Sequence, residues 1–347
     1  LEAFADCCQL ASINLGTKLQ TIYAGAFIRC SRLVDIRFPD TVTTIESSVF
    51  KLCTALTEIV LPSKLTVLES RMFDGCTKLV TVILPDGLTQ IGIESFWDCS
   101  ALRNINFPSS LESVGENAFA GCTSLEYNSY QGMGYLGNAE NPYIVLVCRL
   151  DSNVRDVVVH NNTKCIMSGF LPSLDITSLT ISENLINLST FELVRIKTLV
   201  KIEVAVGNKK YHTSGNCLIE TATKKLLRGF NNSIIPSDGS VTIIESLAFA
   251  NLTGLTTIVI PDTVEELGEQ AFMNCIGLET LVIGAGVKKI GGSLLYQCKK
   301  LQAIYYNGTA SQWDAIDIVG EKPTGGIMID NSELFNTTKY FYSEDLP

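Results

Sequence analysis

Histidine and tryptophan are nearly missing from this chain of 347 residues, which has two of each. The histidines, His160 and His212, lie in the polar, loop-like segments VHNNT and KYHTSG, and neither stands beside a nucleophile elbow or a glycine-rich turn. Catalytic groups meet in space rather than in sequence, so counting alone leaves a Ser-His-Asp or Cys-His arrangement open. The simpler interpretation is that both are surface histidines without a chemical role.

Positive charge and long apolar runs are also scarce. The chain has 26 lysines and arginines against 36 acidic residues, which is a formal net charge of −10. A protein that binds nucleic acid or an anionic membrane surface needs the opposite balance. No apolar run reaches the roughly 18 residues that a membrane-spanning helix requires. The sequence therefore predicts no nucleic-acid partner and no membrane insertion, and its 46% of apolar residues predict a folded chain with a core.

A strict repeat is what the sequence does contain. The stretch AFIRCSRLVDIRFP at 26–39 returns 23 residues later as VFKLCTALTEIVLP at 49–62. Such a period indicates a solenoid, because one coil cannot bury its apolar stripe without neighbours. The aromatic anchor of successive units is Phe4, Phe27, Phe50, Phe73, Phe96 and Phe119, later Phe249, Phe272 and Leu295, with Phe170 and Leu193 between them.

Each unit reads A-F-x-x-C-x-x-L-x-x-I-x-I/L-P-x-x-V/L-x-x-I. The alternation around the isoleucine predicts a strand with one buried face, and the proline ends it because it cannot donate a ladder hydrogen bond. The next apolar pair, such as Val42 and Ile45, predicts a second short strand or a turn. The AFxxC segment predicts one helical turn. We expect the first strands to form one parallel sheet along the whole solenoid, with the phenylalanine, cysteine and leucine positions inside.

The 12 cysteines contain no Cys-x-x-Cys pair. A metal site needs ligands that converge at short spacing, so we predict no metal and no cofactor. Disulfides between neighbouring coils are geometrically conceivable, but a ladder of equivalent thiols offers no preferred pairing. Buried free thiols behave as small apolar side chains. We expect this state, with low reactivity, at Cys30, Cys53, Cys76, Cys99 and Cys122, whereas Cys7, Cys8, Cys148, Cys165 and Cys217 lie off the ladder or in interrupted regions.

These units resemble the BspA-like, or Treponema-type, leucine-rich repeats, whose pattern is LxxIxIPxxVxxIgxxAFxxCxxL. The resemblance covers nearly the whole chain, and the terminal LQAIYYNGTASQWDAIDI…TTKYFYSEDLP is similar to the cap of such proteins. It implies a leucine-rich-repeat solenoid, mainly β with short helical turns, whose parallel strands stack in 23-residue coils. The family also implies bacterial proteins that are secreted or held at the cell surface and that adhere to host or microbial surfaces.

Two interruptions divide the pattern. Phe119 and Phe170 are 51 residues apart, two units plus five, and Leu193 and Phe249 are 56 apart, two units plus ten. The first gap contains PYIVLV, which predicts a strand, and the second has two apolar runs around TATK, which predict a hairpin. Either these are decayed repeats that regain their register, or they are rim insertions that bind a partner, around 127–147 and 207–238. The predicted domains are regular repeats at 1–126, irregular repeats with both insertions at 127–248, regular repeats at 249–306 and a cap at 307–347.

The exposed strand positions name no ligand, because their side chains are mixed and mildly polar. Glutamates at one repeat phase, Glu46, Glu69 and Glu245, predict a solvated row rather than a catalytic pair. Aromatic residues gather near the C-terminus, where they either cover the open end of the last coil or bind a sugar; capping is the preferred interpretation. These aromatic residues are Tyr305, Tyr306, Trp313, Tyr340, Phe341 and Tyr342.

The sequence therefore predicts a non-enzymatic protein with no catalytic, cofactor-binding or metal-binding residues and with an unknown ligand-binding site. We expect a monomeric interaction or adhesion protein, extracellular or at the cell surface, that binds a protein or glycan on another surface. Because the chain starts inside a unit, at LEAFADC, we also expect further sequence upstream. The alternative is a targeting or spacer arm of a larger protein whose catalytic domain lies outside this chain.

Overall fold

The structure, a computed structural model, describes residues 1–319 and 331–341. It divides into two compact units, one formed by Leu1–Leu174 with Asn184–Leu188 and one by Asp175–Glu183 with Ser189–Pro347. In each unit the chain winds in parallel-strand coils of about 23 residues, which confirms the predicted solenoid class. Among the described residues, no helix is long and apolar enough to cross a membrane. The four-segment domain division made from the sequence stays a prediction.

Each regular coil of the first unit contributes two short strands, one before the proline and one after it. The strands of this unit are β1 Ser12–Asn14, β2 Thr21–Ile22, β3 Asp35–Arg37, β4 Thr44–Ile45, β5 Glu58–Val60, β6 Val67–Leu68, β7 Thr81–Ile83, β8 Gln90–Ile91, β9 Asn104–Ile105, β10 Ser113–Val114, β11 Asn128–Tyr130, β12 Met133–Leu136, β13 Val145–Arg149, β14 Asp156–Val158 and β15 Cys165–Ile166, and a 3-10 helix covers Leu171–Ser173.

Strands of successive coils pair in parallel with a shift of one repeat, so that Ile59 lies opposite Val82 and Leu68 opposite Ile91. These apolar residues are buried between exposed neighbours, as the alternation predicts. The expectation of one unbroken sheet is wrong, because the strands form several separate sheets. The strands before the proline form the sheets β1–β3 and β5–β7–β9, and those after it form β2–β4 and β6–β8–β10. Strands of two or three residues make very few ladder hydrogen bonds, so a sheet ends where one bond is lost.

The described part of the second unit has longer strands and three short helices. Its elements are β16 Ser178–Ile181, α1 Thr190–Arg195, β17 Lys201–Val204, β18 Tyr211–Ser214, β19 Cys217–Glu220, β20 Lys225–Arg228, β21 Ile243–Ile244, β22 Thr257–Ile260, β23 Glu266–Leu267, β24 Thr280–Ile283, β25 Lys289–Ile290, β26 Ala303–Tyr306, α2 Ala310–Asp314, β27 Asp317–Ile318, α3 Ser332–Asn336 and β28 Thr338–Phe341. Strands β16–β17, β22–β24–β26–β28 and β20–β21–β23–β25–β27 pair in parallel.

The AFxxC segment closes each regular coil with tight turns instead of the expected helical turn. The residues two positions before and after the aromatic anchor have positive φ; around Phe50 they are Ser48 at 59° and Leu52 at 61°. Such left-handed residues cannot continue a right-handed helix and cost about 1–2 kcal/mol each when they carry a side chain. They turn alternate N–H groups toward the next coil, where Phe50 donates to the carbonyl of Met72 at 3.0 Å and Ser48 and Leu52 donate likewise.

The anchor rings form a continuous stack inside the first unit. From Phe4 to Phe119 the centroids of successive rings are 5.4–5.7 Å apart, and their planes lie within 6–15° of parallel. In the second unit, Phe249 and Phe272 stack in the same way at 5.2 Å. The rings of Phe50, Phe73 and Phe96 are fully buried, which confirms their predicted place in the core.

The repeated cysteine is a hydrogen-bond donor as well as a buried side chain. The thiol of Cys53 donates to the carbonyl of Phe27 in the preceding coil, with an Sγ–O distance of 3.2 Å, and that carbonyl also accepts the N–H of Cys30 at 3.1 Å. A carbonyl oxygen has two lone pairs, so this one is fully used. The same thiol–carbonyl bond, at 3.0–3.1 Å, is made by Cys30, Cys76, Cys99, Cys122, Cys275 and Cys298.

All 12 cysteines are free thiols, and the five that were predicted to be buried are buried. Burial raises the pKa of Cys53 and of Cys122 to about 12 and raises the pKa of Cys76 well above its usual value. Since the thiolate is the reactive form, these thiols are poor nucleophiles and poor metal ligands near neutral pH. By contrast, Cys7 and Cys8 are exposed.

Truncating Phe73 to alanine removes a ring that lies between two others in the stack. We expect the free energy of unfolding to fall by about 3–5 kcal/mol, because the side chain loses its burial and leaves a cavity. Urea denaturation followed by circular dichroism measures the loss. The control is Tyr23→Ala, which removes a ring that is 56% exposed and should change the value by no more than about 0.5 kcal/mol. Equal effects of the two substitutions would contradict the stack as a source of stability.

Iodoacetamide at pH 8 should distinguish the exposed from the buried thiols. A thiol with a pKa of about 12 is ionised in about one molecule in 10⁴ at that pH, and it is also shielded from the reagent. We expect Cys7 and Cys8 to be alkylated in the native protein, and Cys53, Cys76 and Cys99 only after denaturant is added. Peptide mass spectrometry at timed intervals reads the result. Equal rates at Cys8 and Cys76 would show that the coils do not protect the ladder.

Candidate functional site

Both interruptions of the repeat are antiparallel hairpins. Strands β11, β12 and β13 pair antiparallel in the first unit, and β18, β19 and β20 do so in the second. The predicted strand in PYIVLV is β13 and the predicted hairpin around TATK is β19–β20, so both predictions are confirmed. The last strand of each hairpin rejoins a parallel ladder, β13 with β15 and β20 with β21. Insertions with a structure of their own therefore replace regular coils at both places.

The tips of these hairpins explain why the chain reverses there. Gln131 and Gly132 join β11 to β12, Gly215 and Asn216 join β18 to β19, and all four have positive φ. Two-residue loops with both residues left-handed are type I′ turns, whose twist matches that of the flanking strands. At Gly215 the backbone also passes close to its neighbour, because a Cβ there would meet the carbonyl oxygen of Ile234.

A β-bulge gives the two hairpins different side chains at equivalent positions. The register shifts after Gly134 in β12 and after Leu218 in β19. The partner residue at that point is Cys148 in the first unit and Arg228 in the second. The second unit therefore carries a cation where the first has a thiol.

Arg228 lies in the wall of a cleft of about 790 Å³ in the second unit, which we call the Arg228 cleft. One wall is the segment 196–203, which leads from the end of α1 into β17. The other walls are the β18–β19 tip at 213–216, the segment 228–232 after β20, and the turn at 251–253. The insertion at 207–238 thus supplies a large part of this cleft.

The guanidinium of Arg228 is an isolated buried charge. The residue is 3% exposed, and among the described residues no carboxylate lies within ion-pair distance of it. Its Nη1 donates to the carbonyls of Ala248 at 3.3 Å and Ala250 at 3.1 Å, whereas Nε has no hydrogen-bond partner. The guanidinium carbon lies 5.7 Å from the ring centre of Phe230. Burial lowers the pKa of Arg228 to about 10, so the side chain is still charged at neutral pH.

The position of Arg228 follows from the break in the repeat. In regular coils, the carbonyls just before and just after the anchor accept N–H groups of the preceding coil, as Met72 accepts from Phe50. After the hairpin, Gly229 still donates to Ala248 at 2.9 Å, but no backbone donor among the described residues reaches Ala250. The Nη1 of Arg228 takes that place. A side chain therefore completes the ladder where a coil is missing.

Charged groups at the mouth of the cleft are mainly positive. Lys197, Lys201 and Glu203 line it together with Arg228, which gives three cations and one carboxylate, a local charge of +2 in a chain of −10. Lys201 and Glu203 form an ion pair of 2.5 Å in which both side chains are about half exposed. Amide side chains add neutral donors and acceptors; Asn216 bonds the carbonyl of Val200 at 3.2 Å and the side chain of Asn232 at 2.6 Å.

A second candidate surface is the exposed face of the β22–β24–β26–β28 sheet. Strand pairing places Val259 opposite Val282, Val282 opposite Tyr305, and Tyr305 opposite Tyr340. We call these four residues the strand-face row. Val259, Tyr305 and Tyr340 are 52%, 43% and 42% exposed, and the two tyrosine rings stack at 5.1 Å. The row was missed in the sequence because Tyr340 follows Tyr305 by 35 residues rather than by one repeat.

The terminal aromatic residues divide between the core and this surface. Tyr306 and Trp313 are buried and meet edge to face at 5.3 Å, and Phe341 packs against the same core. They cover the end of the last coil, which confirms capping for these three. Tyr305 and Tyr340 face outward instead, and Tyr342 lies outside the described residues.

The remaining polar candidates form structural contacts. His160 is not a free surface histidine, because it stacks on Tyr143 with ring centres 3.8 Å apart, and burial lowers its pKa. His212 lies in strand β18 rather than in a loop, with its Nδ1 2.9 Å from the hydroxyl of Thr221. Of the glutamates expected in a solvated row, Glu46 accepts a backbone N–H at 2.8 Å and Glu245 pairs with Lys225 at 2.8 Å. Within residues 1–319 and 331–341, no group of three or more histidine, cysteine, aspartate or glutamate side chains is placed to hold a metal ion.

Comparison with known proteins gives one family. The family model described as BspA type leucine rich repeat region matches residues 1–126 and 225–315, in six copies. Among similar solved structures, a leucine rich cell surface protein from Faecalibacterium prausnitzii is 21% identical over 91% of this chain and 83% of that chain, with a TM-score of 0.33. A leucine-rich repeat protein from Bacteroides ovatus is 20% identical over 91% of this chain and 85% of that chain, with a TM-score of 0.37. A leucine-rich repeat protein from Eubacterium ventriosum is 19% identical over 74% of this chain and 68% of that chain, with a TM-score of 0.42. No curated protein matches the chain. At this similarity no ligand or location follows from the solved structures.

Substituting the hairpin tip tests the geometry that shapes the cleft. We expect Gly215→Ala to lower the free energy of unfolding by more than Gly239→Ala, because both residues have positive φ but only Gly215 has a carbonyl where the new methyl group would lie. The left-handed backbone alone should cost about 1–2 kcal/mol at Gly239. Urea denaturation of the two variants measures the difference. Equal losses would mean that the tip can move away from Ile234.

Proposed function

The chain belongs to the BspA-type leucine-rich repeat family, and from this premise we propose that it is an interaction module of an extracellular or cell-surface protein. In this proposal the chain catalyses no reaction of its own and binds a protein or glycan on another surface. The family assignment supports this proposal, because a leucine-rich repeat scaffold is suited to protein interaction.

The observation that carries the proposal is the strand-face row. Isolated exposed apolar residues are normal on a protein surface, but a contiguous row of them marks an interaction site. Val259, Val282, Tyr305 and Tyr340 follow one another on four paired strands, so they form such a row on a rigid sheet. Tyrosine is enriched among the residues that dominate binding energy, because it buries a large area at a small loss of side-chain freedom. The row therefore favours a macromolecular partner over a small substrate.

Electrostatics narrows the class of partner. The side chains flanking the row on the same strands are uncharged at Thr257, Thr280, Ala303 and Thr338. With a net charge of −10, the chain as a whole repels polyanions. A neutral or basic protein surface that presents apolar side chains is the best match, and a neutral glycan is the second.

Binding should depend on the two exposed tyrosines. We expect the chain to bind at least one member of a panel of extracellular-matrix proteins and immobilised glycans, and the double substitution Tyr305→Ser with Tyr340→Ser to weaken that binding about tenfold or more. Biolayer interferometry measures the dissociation constants. The matched control is Tyr296→Ser, which removes a tyrosine that is 44% exposed on the turn side of its coil and should leave binding unchanged.

Two results would count against the proposal. If the double variant keeps its melting temperature and binds as the unsubstituted chain does, the strand-face row is not the site. If no member of the panel binds at all, the chain is better explained as a spacer or targeting arm.

A further inference from the structure

We propose that the Arg228 cleft is a binding site for a ligand that carries a carboxylate group. This inference goes beyond the interaction module and is independent of the strand-face row, since different residues in different sheets form the two surfaces. It rests on three properties of the cleft: a buried cation without a counter-ion, a free edge on that cation, and enough space for a ligand.

The first property is the unpaired charge. Arginine is almost never buried without a partner, because removing a charge from water is costly unless another charge or a full set of hydrogen bonds replaces the solvent. Two peptide carbonyls bond Nη1 of Arg228, but they are neutral, and no carboxylate among the described residues pairs with the guanidinium. An anion in the cleft would supply the missing charge.

The second property is the shape of the free edge. The N–H groups of Nε and Nη2 lie in the plane of the guanidinium and point from one edge of it. This fork matches the two oxygens of a carboxylate. In Arg228 the carbonyls of Ala248 and Ala250 bond Nη1 only, and Nε is without a partner. Nε is enclosed by protein, so Nη2 is the atom of the fork left for a ligand in the cleft, and a carboxylate that bonds it would lie beside the unpaired Nε.

The third property is the space in the cleft, and the charges around this space favour a carboxylate over a more highly charged anion. Only one cation is buried, and the lysines at the mouth, Lys197 and Lys201, are exposed, with Glu203 beside them. One buried guanidinium matches the single charge of a carboxylate, whereas the second charge of a phosphate dianion would have only the exposed lysines, of which Lys201 is already paired with Glu203. The cleft of about 790 Å³ lies in the usual range for small-ligand pockets, so it has room for the body of a carboxylate-bearing molecule next to the amide side chains of Asn216 and Asn231.

A purely structural role is the competing explanation. The Nη1 of Arg228 does replace a missing backbone donor at Ala250, and this alone could account for an arginine here. However, the carbonyls need one donor group and no charge, and the equivalent hairpin position of the first unit is Cys148, which has no charge. The structural role therefore explains Nη1 and leaves the charge and the Nε–Nη2 edge unexplained.

Titration of the full chain with matched probe pairs tests the proposal. The pairs are N-acetylglycine with N-acetylglycinamide, and glucuronic acid with glucose; each pair differs at the carboxylate. At constant ionic strength we expect the acid of at least one pair to bind on the order of tenfold more tightly than its neutral partner and to raise the melting temperature. The pair that responds tells whether the carboxylate comes from a peptide end or from an acidic sugar. Isothermal calorimetry and a thermal melt give the two readouts.

Three variants locate the binding. Arg228→Gln keeps a donor for the carbonyls but removes the charge, so binding of the acid should be lost. Thr253→Trp fills the cleft from an exposed wall position and keeps Arg228 in the chain. It should also abolish binding, which keeps the test valid if Arg228→Gln fails to fold. Lys300→Gln is the matched control, because it removes an exposed positive charge of the same unit outside the cleft and should bind as the unsubstituted chain does.

Three results would overturn the proposal. The first is equal binding of acid and neutral partner in both pairs. The second is inorganic phosphate binding as tightly as the acid, which would indicate a general anion site. The third is full binding by a folded Thr253→Trp variant, which would place the ligand elsewhere.

Discussion

Most regular coils are joined to the next by one doubly used carbonyl group. The carbonyl of the anchor phenylalanine accepts the N–H of its own cysteine and the thiol of the next one, as Phe27 does from Cys30 and Cys53. A cysteine at this position packs as a small apolar side chain and also fills the second lone pair of that carbonyl. An apolar residue such as Leu252, which takes the same position in another coil, cannot make this second bond. The two left-handed residues that flank the anchor serve the same end, because they direct the alternate N–H groups to the neighbouring coil.

Carbonyl groups of neighbouring coils must also be paired where the repeat is interrupted. Before Phe249 the facing segment is the end of β20 rather than an AFxxC turn, and of its backbone N–H groups that of Gly229 pairs with Ala248, while none among the described residues reaches Ala250. The backbone carbonyl of Ala250 would then have no partner, and Arg228 supplies one. A break in a hydrogen-bonded stack is therefore also a place where a charged side chain becomes buried. In this way an insertion that alters the packing of a solenoid also creates a chemically distinct cleft.

Strict periodicity made much of the fold predictable from the sequence. The anchor rings, the buried thiols and both strands of each coil follow from residue spacing, since each position recurs with the same burial, and Phe50, Phe73 and Cys76 are all inside. The turn geometry was not predictable in this way, because positive φ falls on residues as different as Arg29, Ser48 and Leu52. Local preference does not select that conformation at arginine or leucine; the hydrogen bonds between coils do.

The candidate sites were harder to predict than the fold. Arg228 stands in the segment KKLLRGF, where the sequence gives no sign that its guanidinium is buried against carbonyls 20 and 22 residues further on. The strand-face row depends on the pairing of Tyr305 with Tyr340 across the cap, which breaks the 23-residue spacing.

Stacking of the coils also has a mechanical consequence. A coil of 23 residues adds only about 4.8 Å of height while it is stacked, but its extended chain is about 75 Å long. Each coil pulled from the end of a unit would therefore release about 70 Å of slack, so a sustained force would be met by stepwise lengthening, one coil at a time, while the coils behind it stay folded.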